Sequence, residues 1–308
     1  MKNKKEEIIG KKYATKTKGI VTVVHYENTK NVSVKTEEGI VIENLSLGNI
    51  KSGYVGGVKP NRVGEKFKNN EGYIVEIIEY YDSSKVTVRF NDGTILRNRQ
   101  YSGIKNGKIT NPNYRFLYGI GYLGEGKYKV SLKSRVFKYY KLWYNIFLRC
   151  YDKKQQEKHP TYKDVTVCEE WYNFQNFAKW FEESYNPETM EGWHLDKDLL
   201  VKGNKIYSPE TCCFVPSEIN TLFIRCNKSR GSLPIGVTFN KKLKRYVTQI
   251  SKNKKREHLG IFKTAEEAFQ TYKKAKEEYI KEVADKWKGL IDSKVYQAMY
   301  DYKVEIKD

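Results

Sequence analysis

Nowhere in this chain do apolar residues run on for anything near the roughly 20 positions that a membrane-crossing helix needs. The first ten residues, MKNKKEEIIG, hold no apolar core of the kind a secretory signal carries. These two absences lead us to expect a cytoplasmic protein with no membrane partner. No Cys-x-x-Cys pair occurs among Cys150, Cys168, Cys212, Cys213 and Cys226. That excludes a zinc knuckle of the usual close spacing, and the odd count fits free, buried thiols in a reducing compartment. Negative charge is also scarce: 37 Asp and Glu stand against 57 Lys and Arg, a net charge of +20 over 308 residues. Between residues 231 and 256 there is no acid at all. A chain this basic calls for a polyanionic partner. Nucleic acid comes first, because neutralising phosphates releases their condensed counterions.

What is present begins with an internal repeat. Gly10, Tyr26, Val32, Gly39, Ile50 and Gly53 recur 54 positions later as Gly64, Tyr80, Val86, Gly93, Ile104 and Gly107. Gly19 recurs as Gly72, one residue out of step. Each copy carries two β-rich runs, IVTVVHY then NVSVKTEEG in the first, YIVEIIEYY then KVTVRFNDG in the second. Alternating apolar and polar residues between glycine turns predict short antiparallel strands. A unit of about 50 residues with four or five such strands fits a small SH3-like β-barrel. The copies occupy residues 1–60 and 61–115 and form a bivalent arm, for nucleic acid or for a protein partner. Residues 116–134 should link them onward as a hairpin turning at Gly124–Gly126. Gly119, Gly121, Gly124 and Gly126 lack the strand–loop–helix context of a phosphate cradle.

From residue 135 the period becomes helical. Phe137, Tyr140, Trp143, Tyr144, Ile146, Phe147 and Cys150 predict an amphipathic helix over 135–151. A short strand at VTVCEEW leads into a second helix over 169–185, with Trp171, Phe174, Phe177, Trp180 and Phe181 as an apolar stripe. Both helices should pack on the next segment, WHLDKDLLVKGNKIYSPETCCFVP at 193–216. This segment reads as two short strands joined through a Gly-containing turn, followed by a helix from Ser217, a ββα unit too small to bury its own surface.

Its core, Leu195-Asp196-Lys197-Asp198 followed by Tyr207-Ser208-Pro209-Glu210 and Cys212, resembles phage-type HNH (ββα-metal) homing endonucleases in a divergent form. The resemblance covers roughly residues 135–224. It implies that Asp196 binds a divalent ion, Mg²⁺ or Mn²⁺, and that the next residue is a water-activating histidine. Here that residue is Lys197. A lysine with a reference pKa near 10.4 is a poor base at neutral pH. His194, two residues before Asp196 on the same strand face, is the candidate replacement; an ordinary strand-edge histidine is the alternative. Asp198 and Glu210 either share the metal or serve turns and caps, and Asn220 is the candidate distal ligand. Nuclease activity is therefore expected to be degenerate or absent, without a cofactor, and a histidine at position 197 is expected to restore it.

The acid-free stretch carries Lys241, Lys242, Lys244, Arg245, Lys252, Lys254, Lys255 and Arg256, interleaved with Val237, Phe239, Tyr246, Val247 and Ile250. The pattern predicts a curved three-stranded sheet, then a helix capped by Thr264 and Glu267 that turns Ala265, Ala268, Phe269, Tyr272 and Ala275 to the sheet. Gly236-Val237, residues 246–250, residues 258–262 and residues 264–268 resemble the ethylene-response-factor (APETALA-type) DNA-binding domain, which also occurs fused to HNH nucleases. The resemblance implies a sheet in the major groove. Thr238 and Asn240 stand where arginines are usual, and Tyr246 where a tryptophan is. Phosphate affinity would survive those changes better than base discrimination.

The expected architecture is a multidomain α+β chain. Tandem SH3-like barrels precede a divergent HNH-like domain at 135–230, a sheet-plus-helix DNA reader at 231–285 and a helical tail at 286–308. The expected function is binding of double-stranded DNA by a protein of phage or mobile-element type, acting in a host cytoplasm. The alternatives are an active metal-dependent endonuclease, and a non-enzymatic inhibitor or regulator that engages a host nucleic-acid-handling protein through the barrels.

Overall fold

The structure, a computed structural model, describes residues 7–16, 18–56, 62–223, 233–253 and 255–306. Lys254 and Cys226 lie outside the described residues. Within them the fold is mixed α+β, with several small antiparallel sheets and eight α-helices. The chain divides into two compact units, residues 1–111 and 112–308. No helix among the described residues is long and apolar enough to cross a membrane.

The first unit holds the repeat. Strands β1 (Lys12–Ala14), β2 (Ile20–Asn28), β3 (Asn31–Thr36) and β4 (Val41–Leu45) form a meander in chain order, followed by the one-turn helix α1 (Leu47–Lys51). The second copy places β5 (Lys66–Lys68), β6 (Ile74–Asp82), β7 (Lys85–Phe90), β8 (Ile95–Arg99) and α2 (Tyr101–Lys105) in the same order. Each element is displaced by the 54 positions read in the sequence. The irregularities recur too. Register shifts after Val23 and Tyr26 reappear after Ile77 and Tyr80, and Asn44 and Asn98 both take a left-handed backbone. Both sheets are four-stranded, and among the described residues no pairing of β1 with β4 or of β5 with β8 closes them into barrels. Alternation puts Val21, Val23, Val32 and Val34 into one small core, and Val75, Ile77, Val86 and Val88 into the other.

The copies differ in how the helical turn is sealed. Ile8 and Leu47 are buried in the first core. Their counterparts are Arg62 and Tyr101, and Arg62 donates to Glu65 at 3.0 Å and to the Tyr101 hydroxyl at 2.6 Å. Tyr101 in turn donates to the other Glu65 oxygen at 3.0 Å, and the guanidinium lies 4.1 Å from the Tyr101 ring centroid. One copy thus uses burial where the other uses a charge-assisted network. Tyr101→Phe should destabilise the second repeat by about 1 kcal/mol, whereas Leu47→Ala should cost the first about 2–5 kcal/mol. Thermal unfolding of the two variants checks the difference, and equal losses would contradict it.

The second unit begins at residue 112. The expected hairpin at Gly124–Gly126 is absent; instead β9 (Ser131–Leu132) and β10 (Arg135–Val136) pair across a turn in which Lys133 and Ser134 have positive φ. The two glycines serve packing. A Cβ on Gly124 would lie 2.0 Å from the Asn173 side chain, and one on Gly126 would lie 2.3 Å from that of Gln175. Helices α3 (Lys138–Tyr151), α4 (Lys153–Lys158) and α5 (Phe174–Ser184) follow, with β11 (Thr166–Val167) and a 3-10 turn at Glu169–Tyr172 before α5. Trp143, Phe147, Trp171, Phe174 and Phe177 form an aromatic core in which the Trp143 indole donates to the Trp171 carbonyl at 2.7 Å. Each such side chain contributes about 1.5–3 kcal/mol by burial.

Next come β12 (His194–Asp196), β13 (Ile206–Tyr207), β14 (Cys213–Val215) and α6 (Ser217–Leu222). Antiparallel β12 and β14 with α6 make the ββα arrangement, while β13 pairs in parallel with β11. The remainder is the three-stranded sheet β15 (Val237–Asn240), β16 (Arg245–Lys252) and β17 (Lys255–Phe262), then α7 (Ala265–Lys286) and α8 (Ser293–Asp301). Thr264 and Glu267 cap α7 reciprocally, as the sequence predicts. Ala268, Phe269 and Tyr272 are buried on its sheet side, with Ala265 and Ala275 packed beside them. Gly236 has φ +75°, and any side chain there would enter the Tyr272 ring.

One apolar core joins segments read in the sequence as separate. Leu199, Cys213, Val215 and Ile219 share it with Val237, Ile250, Phe269 and Ile280, and with Val295 and Met299 of the tail. Polar contacts fasten the tail further. Lys202 donates to the Lys303 carbonyl at 2.8 Å, Lys273 donates to the Val304 carbonyl at 2.9 Å, and the Val304 N–H donates to Glu277 at 2.9 Å.

Candidate nucleic-acid interface

The ββα hairpin carries His194, Asp196 and Lys197, the residues that the sequence places around an expected metal site. Registers His194↔Val215 and Asp196↔Cys213 put those four residues on one face, with Leu195 and Phe214 on the other. His194 is exposed and Asp196 is half-buried, so the expected shared face is present. Asp196 Oδ1 accepts the N–H groups of Asp198 and Leu199, each at 2.7 Å. Burial pushes the Asp196 carboxyl up, and those two N–H groups only partly offset it. A carboxylate used to end a strand is a structural group first.

Lys197, in the expected base position, is only 7% exposed. Its ammonium donates to Asp198 and, at 2.8 Å, to the Asn204 carbonyl. Asn204 returns a side-chain bond to the Lys197 carbonyl at 2.8 Å. Lys197 therefore ties the loop after β12 to the entry of β13. Asp198 is engaged by that ammonium, and the Ser208 hydroxyl holds the Glu210 carboxyl below its usual range. Asn220 sits half-buried on α6. Among the described residues, no group of three or more His, Cys, Asp and Glu side chains is placed to hold a metal ion. Cys150, Cys168, Cys212 and Cys213 are free thiols, and burial pushes Cys150 and Cys212 up to about 12, keeping them protonated.

The expectation that histidine at 197 restores cleavage does not follow from this geometry. Lys197→His should instead lower stability by about 1–3 kcal/mol through the lost bond to Asn204, with no gain in plasmid nicking in Mg²⁺ or Mn²⁺. A variant as stable as the parent that nicks would contradict this.

The basic candidates divide by strand parity. Opposed residues share a face, so Val237, Thr248, Tyr246 and Phe262 lie toward α7, while Thr238, Asn240, Val247 and Arg245 lie on the open face. The register shift between Thr248 and Gln249 makes Leu259 the extra residue of β17. This bulge re-aims the strand. Ile261 opposes Val247 before it, and His258 and Arg256 oppose Gln249 and Ser251 after it, all on the open face. Lys241, Lys242 and Lys244 occupy the turn between β15 and β16, and Lys255 lies at the other turn.

Two candidates fall on the helix side. Lys252 approaches Glu282 of α7 at 3.5 Å and lies 5.3 Å from the Tyr279 ring centroid. Tyr246 packs against the core beside Phe239, ring centroids 5.1 Å apart. Sequence reading missed Val247, Gln249, Ser251, His258 and Ile261. Strict alternation from Arg245 would have found the first three. The bulge hides the other two.

No protein-family model, no curated protein and no solved structure matches this chain. Its role has to be read from its own residues.

Proposed function

We propose that this chain is a double-stranded-DNA-binding protein of phage or mobile-element type, related to HNH homing endonucleases, whose nuclease chemistry is degenerate. The observation that carries this reading is the open face of the C-terminal sheet, where Arg245, Arg256 and His258 surround Val247, Gln249 and Ile261 without a carboxylate. Lysines at both turns extend the positive charge beyond the strands. Adjacent strands lie about 4.8 Å apart, so two of the three fit a major groove about 12 Å wide. Val247 and Ile261, the latter 51% exposed, suit thymine methyl groups, and Gln249 suits an adenine edge. The arginines and lysines suit phosphates, the larger part of the affinity.

An active endonuclease is the weaker reading, since Asp196, Asp198 and Lys197 are all committed to the fold around the loop. A protein partner on the repeats has one support. Ile20 and Val41 are exposed in the first copy and Ile74 and Ile95 at the matching places in the second. The SH3-like comparison rests on the shared meander with its closing helical turn.

Fluorescence anisotropy of the full chain with a labelled duplex tests the leading reading. Log affinity should fall linearly with log salt, and Arg245→Ala should weaken binding roughly 5–10-fold and reduce the slope by about one unit. Absence of binding at about 50 mM salt, or Asp196-dependent cleavage of the duplex, would overturn it.

A further inference from the structure

A second feature lies beside the sheet, and it shares Gln249 and Arg256 with the open face. Strand β15 pairs with β16 only as far as Thr248, so among the described residues Gln249–Lys252 have β17 on one side and no strand on the other. Helix α6 stands across this gap with α7 behind it, enclosing a cleft of about 960 Å³. Ser217 and Thr221 line one wall, Gln249 and Arg256 another, and Lys276 and Tyr279 the back. The acid of the lining, Glu218, is already neutralised. It accepts from Lys286 at 2.6 and 2.8 Å and from the Trp287 indole at 2.8 Å.

Lys276 has no such partner among the described residues. Among the described residues no carboxylate and no hydrogen-bond acceptor meets its ammonium, and burial alone pushes it down to about 8. Lys276 is half-buried at the back of the cleft, and a partly desolvated cation facing such a space without a counter-charge suits an anionic ligand. The rest of the lining fits one ligand class. Hydroxyl and amide groups and a second cation converge from two walls, while Leu222, Ile235 and Tyr272 supply an apolar surface. The volume is at the upper end for small-ligand sites, about 300–1,000 Å³.

We propose that this cleft binds a nucleotide, its phosphate held by Lys276 and Arg256 and its base lodged against the apolar wall. The nucleotide is either free in solution or an unstacked residue of a bound strand; the chemistry at Lys276 is the same. Deoxyadenosine monophosphate and a short single-stranded oligonucleotide, each titrated calorimetrically into the full chain, separate the two sources.

Lys276→Met should weaken binding by about tenfold or more, as expected for loss of a charge-assisted contact, and Lys276→Arg should retain most of it. Binding to the parent should weaken as pH rises through about 8, where the ammonium loses its proton, and this dependence should vanish in Lys276→Met. The variant is expected to fold. A lysine depressed from 10.5 to about 8 destabilises the native state while charged, so removing it should raise the melting temperature at pH 7, and less so as pH rises. Arg245→Ala, on the open face, should leave mononucleotide binding unchanged while weakening duplex binding, so the two proposals fail separately. Binding of the mononucleotide marks a free-nucleotide site, and binding of the oligonucleotide alone marks a strand site. No binding of either by the parent, or equal binding by Lys276→Met, overturns the proposal.

Discussion

Three consecutive buried residues, Cys213, Phe214 and Val215, govern the second unit because they are drawn into two different cores. Phe214 stacks on Trp180 and meets Phe181 and Tyr185, inside the aromatic core of α3 and α5. Cys213 and Val215, on the other face of the same strand, belong to the core built by α6, α7 and α8. A strand only three residues long is thus covered on both sides. Its period of two assigns alternate side chains to opposite cores, and a slip of one residue would exchange them. The ββα hairpin has no closed core of its own, and its stability comes from being the wall between two others.

That position also commits the polar groups of the hairpin to its own loop. Asp196 shares its face with Cys213, which burial and the carboxylates of Asp196 and Asp292 keep protonated. The loop beyond is closed by Lys197, Asn204 and two backbone bonds to Asp196. Asp196, Lys197 and Asp198 are all engaged in turning the chain. The C-terminal sheet is the reverse case. Its α7 side is occupied by the shared core, and its other side is left to solvent with positive charge and no acid.

Much of this was legible in the sequence, and the parts that were not have physical reasons. The 54-residue repeat, the two aromatic helices and the Thr264–Glu267 cap are local patterns, and local patterns survive folding. The pairing of β12 with β14 followed by α6 was also readable, because turn residues and apolar alternation agree there. Gly124 and Gly126 misled because their reason is tertiary: the Asn173 and Gln175 side chains occupy the space, and no nearby residue announces it. Lys252 and Tyr246 misled because composition counts charge and aromatics without asking which face they occupy. Lys276 carried no motif and became visible only once α6 stood across from β16.

The central claim is that the C-terminal sheet is the surface for DNA. Hydrogen–deuterium exchange of the full chain, with and without a saturating duplex, reads this for every backbone amide at once. Added protection should appear in β16, β17 and the turn at 241–244, with β2–β4 and β6–β8 unchanged. Protection confined to the two repeats, with the C-terminal sheet exchanging as in the free protein, would contradict it.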